Sequence, residues 1–184
     1  MAGGGSLFDI GLYCLNTARF VTGEEPVEIM ASQYIHPGDG RYAEVEETIS
    51  FMLRFPSDSI VNCFASYGAR DDKHQRPNFE TATIDMPNAY QYVGQTMTVT
   101  LRNGNDTGET KLVLTANKQF AAEIDHMADC VLEGRKPRTP GEEGHQDLLL
   151  MEAIYKSASS GMPVKLPPEK GTDLYRGPPA DISL

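Results

Sequence analysis

Apolar residues recur along this chain with two different periods. Leu7, Ile10, Cys14, Ala18 and Val21 follow the 3.6-residue repeat of a helix. Its ends are marked: Ser6 can serve as N-cap with Asp9 reaching back as in a capping box, and Gly23 closes the segment. From Pro26 to about Leu114 the period becomes two. It is clearest where Val45, Glu47, Ile49, Phe51, Leu53 and Phe55 alternate with Glu46, Thr48, Ser50, Met52 and Arg54. Val27 to Tyr34, Ile60 to Tyr67, Phe79 to Asp85 and Met97 to Leu101 read as further strands. Turn sequences at Pro37-Gly38-Asp39-Gly40, Pro56-Ser57-Asp58-Ser59 and Asn103-Gly104-Asn105-Asp106 are short enough for antiparallel hairpins.

Helical spacing returns with Phe120, Ile124, Met127, Ala128 and Val131, ended by Gly134. A last helix has Thr139 as N-cap, Pro140 at its first position and Glu142 behind them. Leu148, Met151, Tyr155 and Ala158 share one face, and Gly161 is the stop. The predicted class is α+β: an open, mostly antiparallel mixed sheet with helices packed on one face. Phe64 and Met52 fall at outward positions, which makes the other face less polar than a solvated one and available for a homodimer or higher homo-oligomer. Residues 1–166 are expected to form one domain, and 167–184, rich in proline and glycine, an extended tail.

Composition narrows the function. Of 184 residues, 26 are acidic and 16 basic, and the formal charge of -10 disfavours nucleic acid and anionic membrane surfaces as partners. No apolar run reaches the roughly 18 residues of a membrane span. Three separated cysteines, Cys14, Cys63 and Cys130, read as reduced core thiols of a cytoplasmic protein rather than a disulfide framework. The opening Met-Ala-Gly-Gly-Gly-Ser reads as a start joined to an internal segment.

Gly3 and Gly5 invite comparison with a dinucleotide fingerprint, but Phe8 stands where the third glycine belongs and no strand precedes the motif. His36, His74, His126 and His145 lack metal-ligand spacing, so no metal is expected. Glu44, Glu46 and Glu47 read as a solvated strand edge. Asp9 and Tyr13 lie four apart on one helical face, an acid beside a phenol. Two readings stay open from spacing alone: a pair that handles protons, or a cap and a packing residue.

A longer pattern weighs on that choice. The run from Gly3 to Tyr13, with Asn16, Arg19 and Thr22-Gly23-Glu24-Glu25-Pro26, resembles the start of the C-terminal domain of the glucose-fructose oxidoreductase and inositol dehydrogenase (Gfo/Idh/MocA) family, closest to the glucose-fructose oxidoreductase branch. The resemblance continues through Phe55-Pro56, Tyr67-Gly68, Phe120 to Gly134, Gly141-Glu142-Glu143-Gly144 and Ala153 to Ala158. It implies a sugar or polyol oxidoreductase in which an N-terminal Rossmann domain, absent here, binds NAD or NADP and supplies a lysine. No cofactor is then expected on this chain, which should be inactive alone. Tyr13 matches the family's acid-base residue and Asp9 its substrate-orienting carboxylate, with Tyr90, Tyr92 and His145 as cleft neighbours. A leader before the missing domain would make the protein periplasmic. A competing expectation is a non-catalytic sugar- or nucleotide-sensing regulator, or an assembly module, of the same family.

Overall fold

The computed structural model describes residues 4–114 and 118–179. Gly3 of the fingerprint comparison and residues 180–184 of the expected tail lie outside that range. A π-helical segment, Leu7–Gly11, opens the fold. It is succeeded by α1 (Leu12–Thr22), β1 (Glu28–Tyr34), β2 (Thr48–Arg54), β3 (Ile60–Ser66), β4 (Ala82–Asp85), β5 (Thr96–Asn103), β6 (Asp106–Val113), α2 (Gln119–Glu133), α3 (Gly141–Ser160) and β7 (Val164–Lys165). The class is α+β, with every strand pairing antiparallel. The strands divide between two sheets, β3-β2-β1-β7 and β4-β5-β6, rather than one. They belong to two compact units, Met1–Ala69 with Arg135–Leu184 and Arg70–Gly134.

In the first unit the alternation of β2 works as expected. Ile49, Phe51 and Leu53 turn inward with Ile29 and Ala31 of β1 and Cys63 and Ala65 of β3. They share one buried cluster with Leu7, Leu15 and Ala18 of the first helical run and Leu150, Met151 and Ile154 of α3. Fully burying one such large aliphatic or aromatic side chain contributes about 1.5–3 kcal/mol, so this cluster holds the unit together. On the opposite face Phe64 is 57% exposed and Met52 half-buried.

The helical stripes differ from their sequence reading. Ile10 and Val21 are exposed, and the buried line of the first helix runs Leu7, Gly11, Leu15, Ala18 and Arg19. The cause is the π turn, in which the Leu12 N–H donates to Leu7 O five residues back. The extra residue in that turn rotates the whole of α1 relative to a regular helix. On α3, Leu148 is exposed, and the buried face includes Glu143, Gln146, Asp147 and Ser157 beside Leu150, Met151 and Ile154. That helix begins at Gly141, with Pro140 rather than Thr139 as its cap residue. Gly23, Gly134 and Gly161 end the three helices as expected, each in the left-handed conformation at φ +66°.

β7 covers only Glu28 and Ile29 of β1. Beyond it, Ser157 of α3 takes over the edge: its Oγ accepts from Ala31 N–H at 2.9 Å and donates to Met162 O at 2.8 Å. In the second unit β6, a strand not anticipated separately, pairs along its whole length with β5. The α2 stripe of Phe120, Ile124, Met127 and Val131 is exposed, and Cys130 is the buried residue of that helix.

Candidate active site

The first helix starts against a buried carboxylate. Ser6 is itself helical and makes no side-chain cap, and Asp9 does not reach back to it. Instead Glu46, from the β1–β2 connection, accepts from the Leu7 backbone N–H at 2.7 Å and from Ser6 Oγ at 3.5 Å. Both of its oxygens also accept from the Tyr155 hydroxyl of α3 at 3.0 Å. Glu46 is only 3% exposed. The expectation that Glu44, Glu46 and Glu47 form a solvated edge is therefore corrected at its middle member. A carboxylate at the positive end of a helix is favourable, and here it satisfies otherwise unpaired helix donors. A Cβ on Gly5 would collide with this carboxylate, which explains a glycine there.

Freed from capping, Asp9 faces outward. Its Oδ2 accepts from the Tyr67 hydroxyl at 2.9 Å, and Tyr67 stacks on Tyr42 with ring centroids 6.4 Å apart. Partial burial, together with this hydrogen bond to Asp9, pushes the Tyr67 phenol up to about 12. Tyr67 therefore keeps its proton at neutral pH and acts as a fixed donor to Asp9. Tyr13 stands one turn onward on α1, 54% exposed. Asp9 and Tyr13 are thus on the surface of the same helical run, not in the hydrocarbon interior, and the π turn falls under Asp9. π segments of this kind are frequent at functional sites. Tyr67 belongs to the family pattern but is not legible as a site residue in the sequence, since nothing in its spacing ties it to Asp9, 58 residues earlier.

The far end of α1 is anchored by charge. Arg19 is 0% exposed and donates from Nε and Nη2 to Glu25, and from Nη1 to Glu143 and Asp147 of α3. Asn16 Nδ2 donates to the same two α3 carboxylates, at 2.6 and 2.8 Å. Arg176, from the segment expected to trail as a tail, donates to Glu143 and to Asn16 O. Around Arg176 that segment is buried rather than extended into solvent. Desolvation by burial holds the Asp147 carboxyl above its ordinary value despite these donors.

Of the expected cleft neighbours, His145 is exposed on the first turns of α3, in the same unit as Asp9 and Tyr13. Tyr90 and Tyr92 belong to the other unit, where Tyr92 packs edge-on against Phe120 with centroids 5.4 Å apart. Among the described residues no group of three or more His, Cys, Asp or Glu is arranged to hold a metal ion, and no helix is long and apolar enough to cross a membrane. Nor do the residues at the Gly4-Gly5 turn fit a dinucleotide. The helix N-terminus that would receive its pyrophosphate already receives the Glu46 carboxylate, and a second anion there would be repelled.

Comparison with known proteins finds similar sequences and folds. Residues 1–86 match the family model described as GFO/IDH/MocA C-terminal domain. The aldose-aldose oxidoreductase of Caulobacter crescentus, solved with glycerol, superposes with a TM-score of 0.81 at 40% identity, over 90% of this chain and 48% of that one. A D-xylose 1-dehydrogenase [NADP(+)] of Haloarcula marismortui is 26% identical over 90% of this chain and 45% of its own length. The oxidoreductase domain protein of Kribbella flavida, at 15% identity and a TM-score of 0.73, shares the fold. The chain spans about half the length of the relatives it matches. Over residues 1–86 the chain is similar to the GFO/IDH/MocA C-terminal domain, and over 90% of its length it shares the fold of the aldose-aldose oxidoreductase.

Proposed function

We propose that this chain is the substrate-binding and dimerising domain of an NAD(P)-dependent sugar or polyol oxidoreductase, inactive without a nucleotide-binding half. The observation that carries the reading is Asp9, set in a π turn with its carboxylate held by Tyr67, one turn from the exposed phenol of Tyr13. Oxidising a sugar alcohol removes a hydride from carbon and a proton from the attached oxygen. The nicotinamide, bound on the other half, supplies the hydride acceptor. Tyr13 takes the hydroxyl proton as its own phenolic proton passes on through the lysine that the nucleotide-binding half would supply, which requires the Tyr13 oxygen within about 3 Å of the substrate oxygen. Asp9 accepts hydrogen bonds from neighbouring sugar hydroxyls and so fixes which carbon is presented, with Tyr67 limiting the directions its oxygens can turn. The names of the relatives, a D-xylose 1-dehydrogenase and an aldose-aldose oxidoreductase, favour an aldose. His145 is proposed to border the substrate.

The test joins this chain to the nucleotide-binding half and monitors nicotinamide absorbance with a panel of aldoses. Aldose-dependent reduction of NADP+ or NAD+ is expected from the full-length protein, and no saturable dinucleotide binding from the chain alone. Micromolar binding by the chain alone, or a full-length protein inert toward every aldose, counts against the proposal. The dimer is assigned to the open sheet face around Phe64 and Met52. Light scattering is expected to give twice the 20.2 kDa chain mass, and Phe64→Asp to halve it. A wild-type monomer at micromolar concentration would remove this role.

A further inference from the structure

Cys14 comes directly after Tyr13 on α1 and is partly exposed, while Cys63 is buried in β3. The two elements meet closely. At Gly11 a Cβ would lie 3.4 Å from the Ala65 Cβ, so the start of the helix rests directly on this strand. Nearly one turn along the helix and two residues back along the strand, the Cys63 thiol lies near that of Cys14, in the same buried cluster that Cys14 packs against. Cys14 Sγ also donates to Phe64 O at 3.9 Å, which keeps it over the strand. A disulfide needs its Cβ atoms about 3.5–4.5 Å apart, so only cysteines on directly packed elements such as these can form one.

We propose that Cys14 and Cys63 form a dithiol that peroxide oxidises reversibly to a disulfide joining α1 to β3. The hydrogen bond that Cys63 donates toward Cys14, with burial, holds the Cys63 thiol well above its ordinary value, so the more open Cys14 reacts first. Its thiolate attacks one oxygen of the peroxide, the O–O bond breaks, and hydroxide leaves to be protonated to water. The product is a sulfenic acid on Cys14. Cys63, giving up its proton, then attacks the Cys14 sulfur. The S–O bond breaks, a second water leaves, and the S–S bond forms. Two thiols lose two electrons in all, and one peroxide is reduced to two waters. Disulfides of this kind inside cells are transient and redox-sensing, consistent with reduced thiols at rest.

The test treats the wild-type protein with hydrogen peroxide, removes the oxidant, then unfolds the chain and alkylates it. One alkylated cysteine of the three is expected, Cys130, together with a linked Cys14–Cys63 peptide pair by mass spectrometry and recovery of all three thiols after dithiothreitol. In Cys14→Ser, Cys63 should remain fully alkylatable after the same treatment. Cys63 staying free in the oxidised wild type, with Cys14 driven to sulfinic acid or to a link between chains, would overturn the proposal. So would loss of the Cys63 thiol in Cys14→Ser.

Discussion

Replacing Tyr13 with phenylalanine in the full-length protein is expected to lower turnover by about 100-fold or more, the usual contribution of a positioned acid-base group. The substitution removes one oxygen and nothing else. Tyr13 is more than half exposed on α1, outside the buried cluster, so the variant should unfold at the temperature of the wild type. Substrate KM should change little if, as proposed, Asp9 with its Tyr67 donor holds the sugar. A loss confined to kcat identifies an interaction made in the transition state. Wild-type turnover in Tyr13→Phe would remove the residue from the mechanism, whatever the fold.

The other large effect concerns Arg19. Arg19→Met keeps a similar length and apolar stem but takes the cation from a site holding Glu25, Glu143 and Asp147, all nearly inaccessible to water. Arg176 remains, a single cation against three carboxylates. Stripping one partner from such a buried group costs about 3–5 kcal/mol, because it leaves charges that neither water nor protein neutralises. Against a typical total of about 5–15 kcal/mol, that is enough to unfold a marginal domain. The sign of the pH dependence comes from Asp147, whose folded-state carboxyl already lies above its unfolded value through burial. A carboxyl raised in this way favours the fold while protonated and loses that contribution as pH rises through its folded value. Without Arg19 the rise is larger. Urea denaturation should therefore show a deficit that is greatest at neutral pH and shrinks on acidification through the carboxylate range. An unchanged midpoint at neutral pH would show that the cluster does not contribute as its geometry implies.

These charged clusters are also the part of the molecule least legible in the sequence. The period-two alternation locates β1, β2 and β3 to within a few residues, because one face of that sheet is buried and the pattern is its direct imprint. The three stop glycines are equally plain, since the left-handed conformation at a helix end selects that residue. Glu46, Glu143 and Asp147 escape such a reading because apolar periodicity counts every charge as outward. Their partners lie far off in sequence: Tyr155 is 109 residues from Glu46, and Arg19 is 128 from Asp147. One signal exists. Glu143 and Asp147 stand four apart on α3, a like-charge pair that weakens an isolated helix unless a cation is shared between them. The π turn leaves no comparable trace, so the stripes drawn through Ile10 and Val21 miss the rotation. At the candidate site the Asp9–Tyr13 element is readable from its match to a family pattern. The Tyr67 donor is not, because only the folding of β3 beside the helix brings it to Asp9.

The way β1 ends its pairing bears on which parts of its margin another chain could reach. A bare strand margin is a template on which a foreign segment can add and begin fibrous growth. On this flank two residues of β7 occupy the first positions, and the Ser157 hydroxyl occupies the next amide. A helix side chain thus takes an amide that a further strand would otherwise pair, which shortens the stretch open to another polypeptide.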